Sequence, residues 1–344
     1  MRPSAFARQR EGMSQSLAPA APATGVPAIS RSRRLLRATA VVACFPYLGI
    51  KAAWIAGSHV GIPEGSSLLA HRTSMAVANS VSVLLDSAVI VLALVLTRPW
   101  GLRVPAWLLV FPLWVASGLL APIMAGFPLQ LLVKLLGTTV HKASGPEHAP
   151  FLDEWVFGVV HTGFIVQGLA LGALFVLYVR DRWAYLWRGR VWELPVGVVG
   201  AAQRATAAAA AVLAPLPLAL HVLWACGSAA GLPEGRAAGR DGGFYVLEAV
   251  FVVFLVSAVV GACLLAFRRG RAMPVKVPLA LAWVGSGAVA CWGGWLSLAS
   301  LAGVDEIADR PTQLMNLAYA DQMIVGILVA TVGAYYFAER SARG

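Results

Sequence analysis

Six ionisable side chains stand inside long apolar stretches of this chain: Lys51, Asp86, His161, His221, Glu248 and Asp321. The amides Asn79, Asn316 and Gln322 join them. Such groups are costly in a hydrocarbon setting and are kept there for pairing or for function. Asp86, Glu248, Asp321 and His161 are of the types that take up and release protons, so they are the candidate proton-transfer groups. Lys51, His221 and Gln322 are candidates for holding a polar substrate. Glu64, Glu234, Trp54 and Trp224, at the ends of two of the stretches, join them as candidate substrate contacts.

These side chains need helices to carry them. The chain has 344 residues, 59% hydrophobic and 12% charged, with mean hydropathy +0.74. A water-facing domain carries about 25% charged residues. The balance here predicts an all-α integral membrane protein, since lipid demands long segments that satisfy their own backbone hydrogen bonds. Eight stretches are long enough, at roughly 37–57, 74–97, 104–126, 155–179, 205–228, 244–267, 277–302 and 316–337. Residues 1–34, rich in Ala, Pro and Ser, read as a disordered tail with no cleaved leader.

Charge sets the expected orientation. With the N-terminus inside, seventeen Lys and Arg lie on the cytoplasmic side, grouped at 31–37, 98–103, 180–204, 268–276 and 340–343. Six lie outside: Arg72, Lys134, Lys142, Arg236, Arg240 and Arg310. That bias is what the positive-inside rule expects, and it places both termini in the cytoplasm of a cell with this protein in its plasma membrane. It also accounts for the net charge of +11. Cations spread over every cytoplasmic turn suit anionic membrane lipid and speak against nucleic acid.

In this topology the buried ionisable groups fall in the outer half of the membrane or near its centre. His59, His71, His141 and His148 lie in outer loops, and His161 and His221 in outer halves of spans. The expectation is one polar cavity open to the outside, in which Lys51 pairs with Asp86 or Glu248.

The chain repeats itself. WIAGSHVGIPEG (54–65) and WACGSAAGLPEG (224–235) match at an offset of 170, which also carries Ser87 onto Ser257 and Arg98 onto Arg268. A small slip brings Trp114, Ser117 and Gly118 near Trp283, Ser286 and Gly287. At an offset of 158, Tyr178 and Arg182 meet Tyr336 and Arg340. Two four-helix units are expected, 35–182 and 204–340, with a linker at 183–203 and a short cytoplasmic C-terminus at 341–344. An even number of spans per unit makes the copies parallel, related by a pseudo-twofold axis along the membrane normal. In each motif the Trp reads as an interfacial anchor, G-x-x-x-G as a close helix approach, and Pro-Glu-Gly as an external turn, with Glu64 and Glu234 facing each other across the axis. At the ungapped offset Asp86 falls on Val256, Glu248 on Ala78 and Lys51 on His221. The ionisable residues break the symmetry, as one composite site would.

Other features carry less chemistry. Cys44, Cys226, Cys263 and Cys291 lie in apolar runs without metal-binding spacing. His141 and His148, with Glu147, Asp153 and Glu154, match no zinc pattern, and no metal is assigned. His161 and His221 have no second histidine pair for haem. Phe127–Gly137 reads as a short interfacial or re-entrant segment able to cover the cavity.

The stretch Lys51–Gly65, K-x-x-W-x-x-G-x-x-x-G-x-P, resembles a group of uncharacterised actinobacterial polytopic membrane proteins. The resemblance implies an eight-span membrane protein and no particular activity. In the second copy His221 replaces the lysine. Three functions fit the residues. The first is a transporter or exporter of a small molecule, its buried acids carrying protons. The second is a membrane-embedded enzyme acting on a lipid or prenyl-type substrate through the same acids and His161. The third is a non-catalytic partner or immunity protein using the Pro-Glu-Gly loops.

Overall fold

Hydropathy of this kind builds helices, and the computed structural model of the chain is all-helical in class, with no strand among the described residues. These are 30–342 except 65, 67–68, 70–71, 138–151, 195–196, 271 and 303–309. The tail before residue 30, His71 and the loop holding His141, Glu147 and His148 lie outside them. Arg31–Gly344 form one compact unit. Its helices are α1 (Arg31–Ile55), α2 (Arg72–Val95), α3 (Ala106–Leu135), α4 (Glu154–Trp183), α5 (Gly200–Leu213), α6 (Pro215–Ala225), α7 (Glu234–Ala238), α8 (Gly242–Ala266), α9 (Lys276–Ala302) and α10 (Gln313–Ser341).

Eight spans are long and apolar enough to cross a membrane, α5 and α6 together making one of them. Pro215 begins α6 at a first-turn position, where its missing N–H is no loss. The helix carries on through it, with Ala214 N donating to Ala210 O and Leu218 N to Ala214 O, both at 3.0 Å. The third span departs from expectation. Phe127–Leu135 is not a separate interfacial segment but the last turns of α3, which runs on past Pro112, Pro122 and Pro128.

Successive long helices alternate in direction, and side chains tie their ends at two poles. At the arginine-rich pole Arg33 of α1 pairs with Asp181 of α4. There Tyr178 donates to the Gly101 carbonyl at 3.0 Å, Gln203 to that of Val332 at 3.2 Å, and Arg340 to that of Arg188 at 2.7 Å. At the opposite pole Gln130 of α3 donates to the Gly243 carbonyl at 3.0 Å, and Lys134 pairs with Glu154 at 3.3 Å.

Packing sets a three-helix group, α1 with α2 and α4, beside a second in which the α5–α6 span packs on α8 and α10 and α9 packs heavily on both; α3 crosses α9 and also lies on α8 and α4. Each group has its own apolar core, one holding Ala40, Leu92 and Leu174 and reaching Leu113 of α3, the other holding Ala210, Leu255, Val325 and Val332 and reaching Val289 of α9. The crossing is reciprocal. Trp114 Nε1 donates to Ser286 Oγ at 3.0 Å, and Trp283 Nε1 donates to Ser117 Oγ at 2.9 Å. Gly118 and Gly287 lie backbone to backbone at its centre, so that a Cβ on Gly118 would run into the Gly287 carbonyl.

The two Trp-Gly motifs fold identically, and not as expected from sequence. Gly57 and Gly227 have φ of +92° and +93°, and Gly61 and Gly231 +72° and +76°, conformations that favour glycine. These glycines therefore sit in turns beyond the helix, not on a helix–helix face. In each copy the helix closes with a Schellman cap. Ser58 N donates to Ala53 O and Ser228 N to Leu223 O, both at 2.9 Å. Gly57 N donates to Trp54 O and Gly227 N to Trp224 O, both at 3.0 Å. The tryptophans are buried, at 4% and 1% exposure, and so are not interfacial anchors. Their indoles donate back to the loop, Trp54 to the Val60 carbonyl at 2.7 Å and Trp224 to the Ala230 carbonyl at 2.9 Å. The second glycine's carbonyl then receives the start of the fourth helix: Asp153 N reaches Gly61 O at 3.0 Å, and Thr312 Oγ1 reaches Gly231 O at 2.6 Å. The repeated sentence thus fastens the first helix of each half to its fourth.

Candidate functional site

The buried ionisable residues gather in two clusters, one inside each group. In the second group α6 carries His221, α8 Glu248 and α10 Gln322, all buried, at 2%, 8% and 0% exposure. His221 Nδ1 lies 2.5 Å from Glu248 Oε2, and its Nε2 lies 2.8 Å from Gln322 Oε1. Gln322 Nε2 donates in turn to the Val289 carbonyl of α9 at 3.3 Å.

That last bond fixes the protons. With the Gln322 amide nitrogen committed to Val289, its oxygen faces His221, and Nε2 of the ring must carry a hydrogen. A second hydrogen lies between Nδ1 and the Glu248 carboxyl. The pair is either imidazolium with carboxylate or imidazole with carboxylic acid, and its net charge is zero in both forms. That neutrality is how an acid is kept inside an apolar bundle. The ring is further held by Phe251, stacked with centroids 5.2 Å apart, and edge-on by Trp224 at 5.4 Å. Phe251 meets Trp292 edge-on at 6.2 Å, and Trp292 Nε1 donates to the Leu119 carbonyl of α3 at 3.1 Å. A continuous row of rings therefore links His221 to the α3–α9 crossing.

In the first group Lys51 of α1 donates to Asn79 Oδ1 of α2 at 2.7 Å. Its ammonium lies over the rings of Tyr47 and Trp54, 5.1 and 5.0 Å from their centroids. Further from the motif, Gln167 of α4 reaches Asp86 Oδ1 at 3.5 Å, and Cys44 Sγ donates toward Gln167 Oε1 at 3.4 Å.

Burial aligns α2 with α8 at an offset one residue shorter than the motif's, and this corrects the pairing read from sequence. Asn79, Asp86, Val89, Leu92 and Ala93 then match Glu248, Leu255, Ala258, Gly261 and Ala262, every one buried. Glu248 is the counterpart of Asn79, not of Ala78, and Lys51–Asn79 occupies the place of His221–Glu248. At the deeper level Cys44, Asp86 and Gln167 match Ala214, Leu255 and Val325, which are wholly apolar. The first half has two polar levels and the second has one. They form two local clusters in place of a single composite one, and Lys51 pairs with neither acid expected of it by hydrogen bond.

The remaining candidates stand apart from both clusters. Asp321 is buried, at 7% exposure, with no hydrogen-bond partner among the described residues; its helix neighbours Leu317 and Ile324 are exposed. His161 is half-buried. It bonds its own helix at the Phe157 carbonyl, 2.8 Å away, and stacks on Phe127 at 4.5 Å. Glu64 and Glu234 are exposed, and Glu234 opens the short helix α7. Trp54 and Trp224 serve their loops. Sequence reasoning missed Gln167, 2% exposed and central to the first cluster. An amide within an apolar run was the available signal. Among the described residues no three His, Cys, Asp or Glu side chains converge on a common point that could hold a metal ion. Comparison with protein-family models, curated proteins and solved structures found no match to this chain.

Proposed function

We propose that the chain is a transporter or exporter of a small molecule, with Glu248 and His221 carrying the coupling proton. In this reading residues 35–182 and 204–340 are parallel repeats about a pseudo-twofold axis along the membrane normal, with both termini cytoplasmic. The observation that carries it is the reciprocal crossing of α3 and α9, flanked by two buried polar clusters of unlike charge. The glycine-centred crossing is where the two groups meet, and it is the contact on which one would rock against the other. The row of rings from His221 to Leu119 ends at that contact, so gain or loss of the shared proton is felt there. Asp321, a carboxyl without a partner beside lipid-facing side chains, is a second proton carrier on the same helix as Gln322.

Catalysis by His221 fits less well. Both ring nitrogens are engaged, by Glu248 and Gln322, and none is left to face a substrate.

The exposed Cys226 offers the test. Its counterpart by the motif's offset is the exposed Ala56. Spin labels on Cys226 and on Ala56→Cys, in protein reconstituted in bilayers, report the separation of the two halves at one pole. The expected result is a distance distribution that differs between about pH 5 and about pH 9, and no longer differs in Glu248→Gln. One unchanging distance in the wild type sinks the reading.

A further inference from the structure

The arginine-rich pole holds a cavity of about 710 Å³ lined by Arg190, Trp192, Arg268 and Ala272. It lies between two connections, the one after α4 and the one after α8, which are stitched together along their backbones. Val191 N donates to the Met273 carbonyl at 3.0 Å and Val275 N to the Gly189 carbonyl at 3.1 Å, with Arg190 and Pro274 bridged between them. The cavity is thus walled by loops held in register. Its lining carries two guanidinium groups and an indole, and Arg268 also borders the adjoining crevice that holds Glu339. Glu193, the nearest acid in sequence, is turned to the Arg190 backbone N–H at 2.8 Å. Arg268 has φ +54°, a conformation that costs an L-residue energy and that glycine adopts freely. An arginine is nonetheless what stands there.

We propose that this cavity binds the phosphate-bearing headgroup of an anionic phospholipid from the adjoining leaflet. Guanidinium groups bind phosphate oxygens in paired hydrogen bonds. Two of them at a loop boundary, where the apolar spans α8 and α9 end, meet phosphate at headgroup depth. Trp192, 58% exposed, is the side chain suited to that interface, its ring beside acyl glycerol and its N–H toward water. The assignment is independent of transport.

The test is native mass spectrometry of the full chain in neutral detergent, titrated with dioctanoyl phosphatidylglycerol, dioctanoyl phosphatidylcholine or inorganic phosphate. Phosphatidylglycerol is expected to be retained in preference to phosphatidylcholine. Arg190→Gln and Arg268→Gln should each weaken it about fivefold. Arg190→Lys and Arg268→Lys, which keep the charge but lose the paired hydrogen bonds, should recover part of that loss, as a merely misfolded loop would not. Arg103→Gln removes an exposed arginine at the same pole, outside the cavity, and should leave binding unchanged. Binding that ignores Arg190 and Arg268 overturns the site. Inorganic phosphate that binds as tightly as the lipid and displaces it overturns the lipid as occupant and leaves a soluble phosphate compound in its place.

Discussion

A histidine between a carboxyl and an amide is a device for keeping one proton in a place where charge is expensive. The amide of Gln322 decides which nitrogen of His221 is protonated, and Glu248 decides where the remaining hydrogen goes. Replacement of Glu248 separates the two contributions. Glu248→Gln keeps a hydrogen-bonding group of the same shape opposite Nδ1, and thermal unfolding in detergent should show a loss within about 1 kcal/mol. Glu248→Ala strands the ring nitrogen in an apolar bundle and should cost about 1–3 kcal/mol. Equal losses for both would mean that packing, and not the shared proton, is what the carboxyl supplies. Lys51 solves the same problem differently, with an amide oxygen and two aromatic faces in place of an acid.

At the scale of the element, the repeated motif is a helix stop and a clasp. Its tryptophan, serine and two glycines each have one backbone partner or one conformation to meet, and both copies meet them with the same bonds. Gly231 shows the demand most plainly, since its φ is +76° and a Cβ there would press on Leu314 of α10. Gly231→Ala, and Gly61→Ala against Val156 of α4, should each destabilise by about 1–3 kcal/mol. The check is thermal unfolding of each variant beside Gly57→Ala. At Gly57 nothing crowds the added methyl, and only the backbone term remains. If Gly57→Ala costs as much as the other two, close contact with the fourth helix is not what the second glycine provides.

For the whole molecule, the decisive contact is the α3–α9 crossing. Gly118→Leu places a side chain where the Gly287 backbone lies, and the two halves cannot both keep their positions. The expected outcome is loss of the folded bundle, or separation of the halves, seen as cleavage between them under limited proteolysis. Trp107→Leu, at a 70% exposed position of the same helix, is the control. A Gly118→Leu variant as compact and as resistant as the wild type would remove the crossing from its central place. The unequal partners of the two clusters also belong to this scale. The second group packs the apolar Ala214, Leu255 and Val325, while the first keeps the polar Cys44, Asp86 and Gln167 in contact.

Hydropathy and the length of the apolar runs determined eight helices able to cross a membrane, because backbone satisfaction in lipid leaves few alternatives. The sequence also exposed the duplicated motif and the ionisable residues worth attention. It misjudged what the motif does, because G-x-x-x-G reads the same whether its glycines lie on a helix face or in left-handed turns, and only φ tells the two apart. It ran Phe127–Gly137 as a separate segment, because the third apolar stretch, ended near residue 126, was already long enough to span and the remainder was too short to span by itself, whereas the helix runs on to Leu135. The tertiary structure decided which polar groups meet. A one-residue change of register between the motif and α2 turns a helix by about 100°. The expected single site is divided because His221, Glu248 and Gln322 stand on α6, α8 and α10, while Lys51, Asn79, Asp86 and Gln167 stand on α1, α2 and α4.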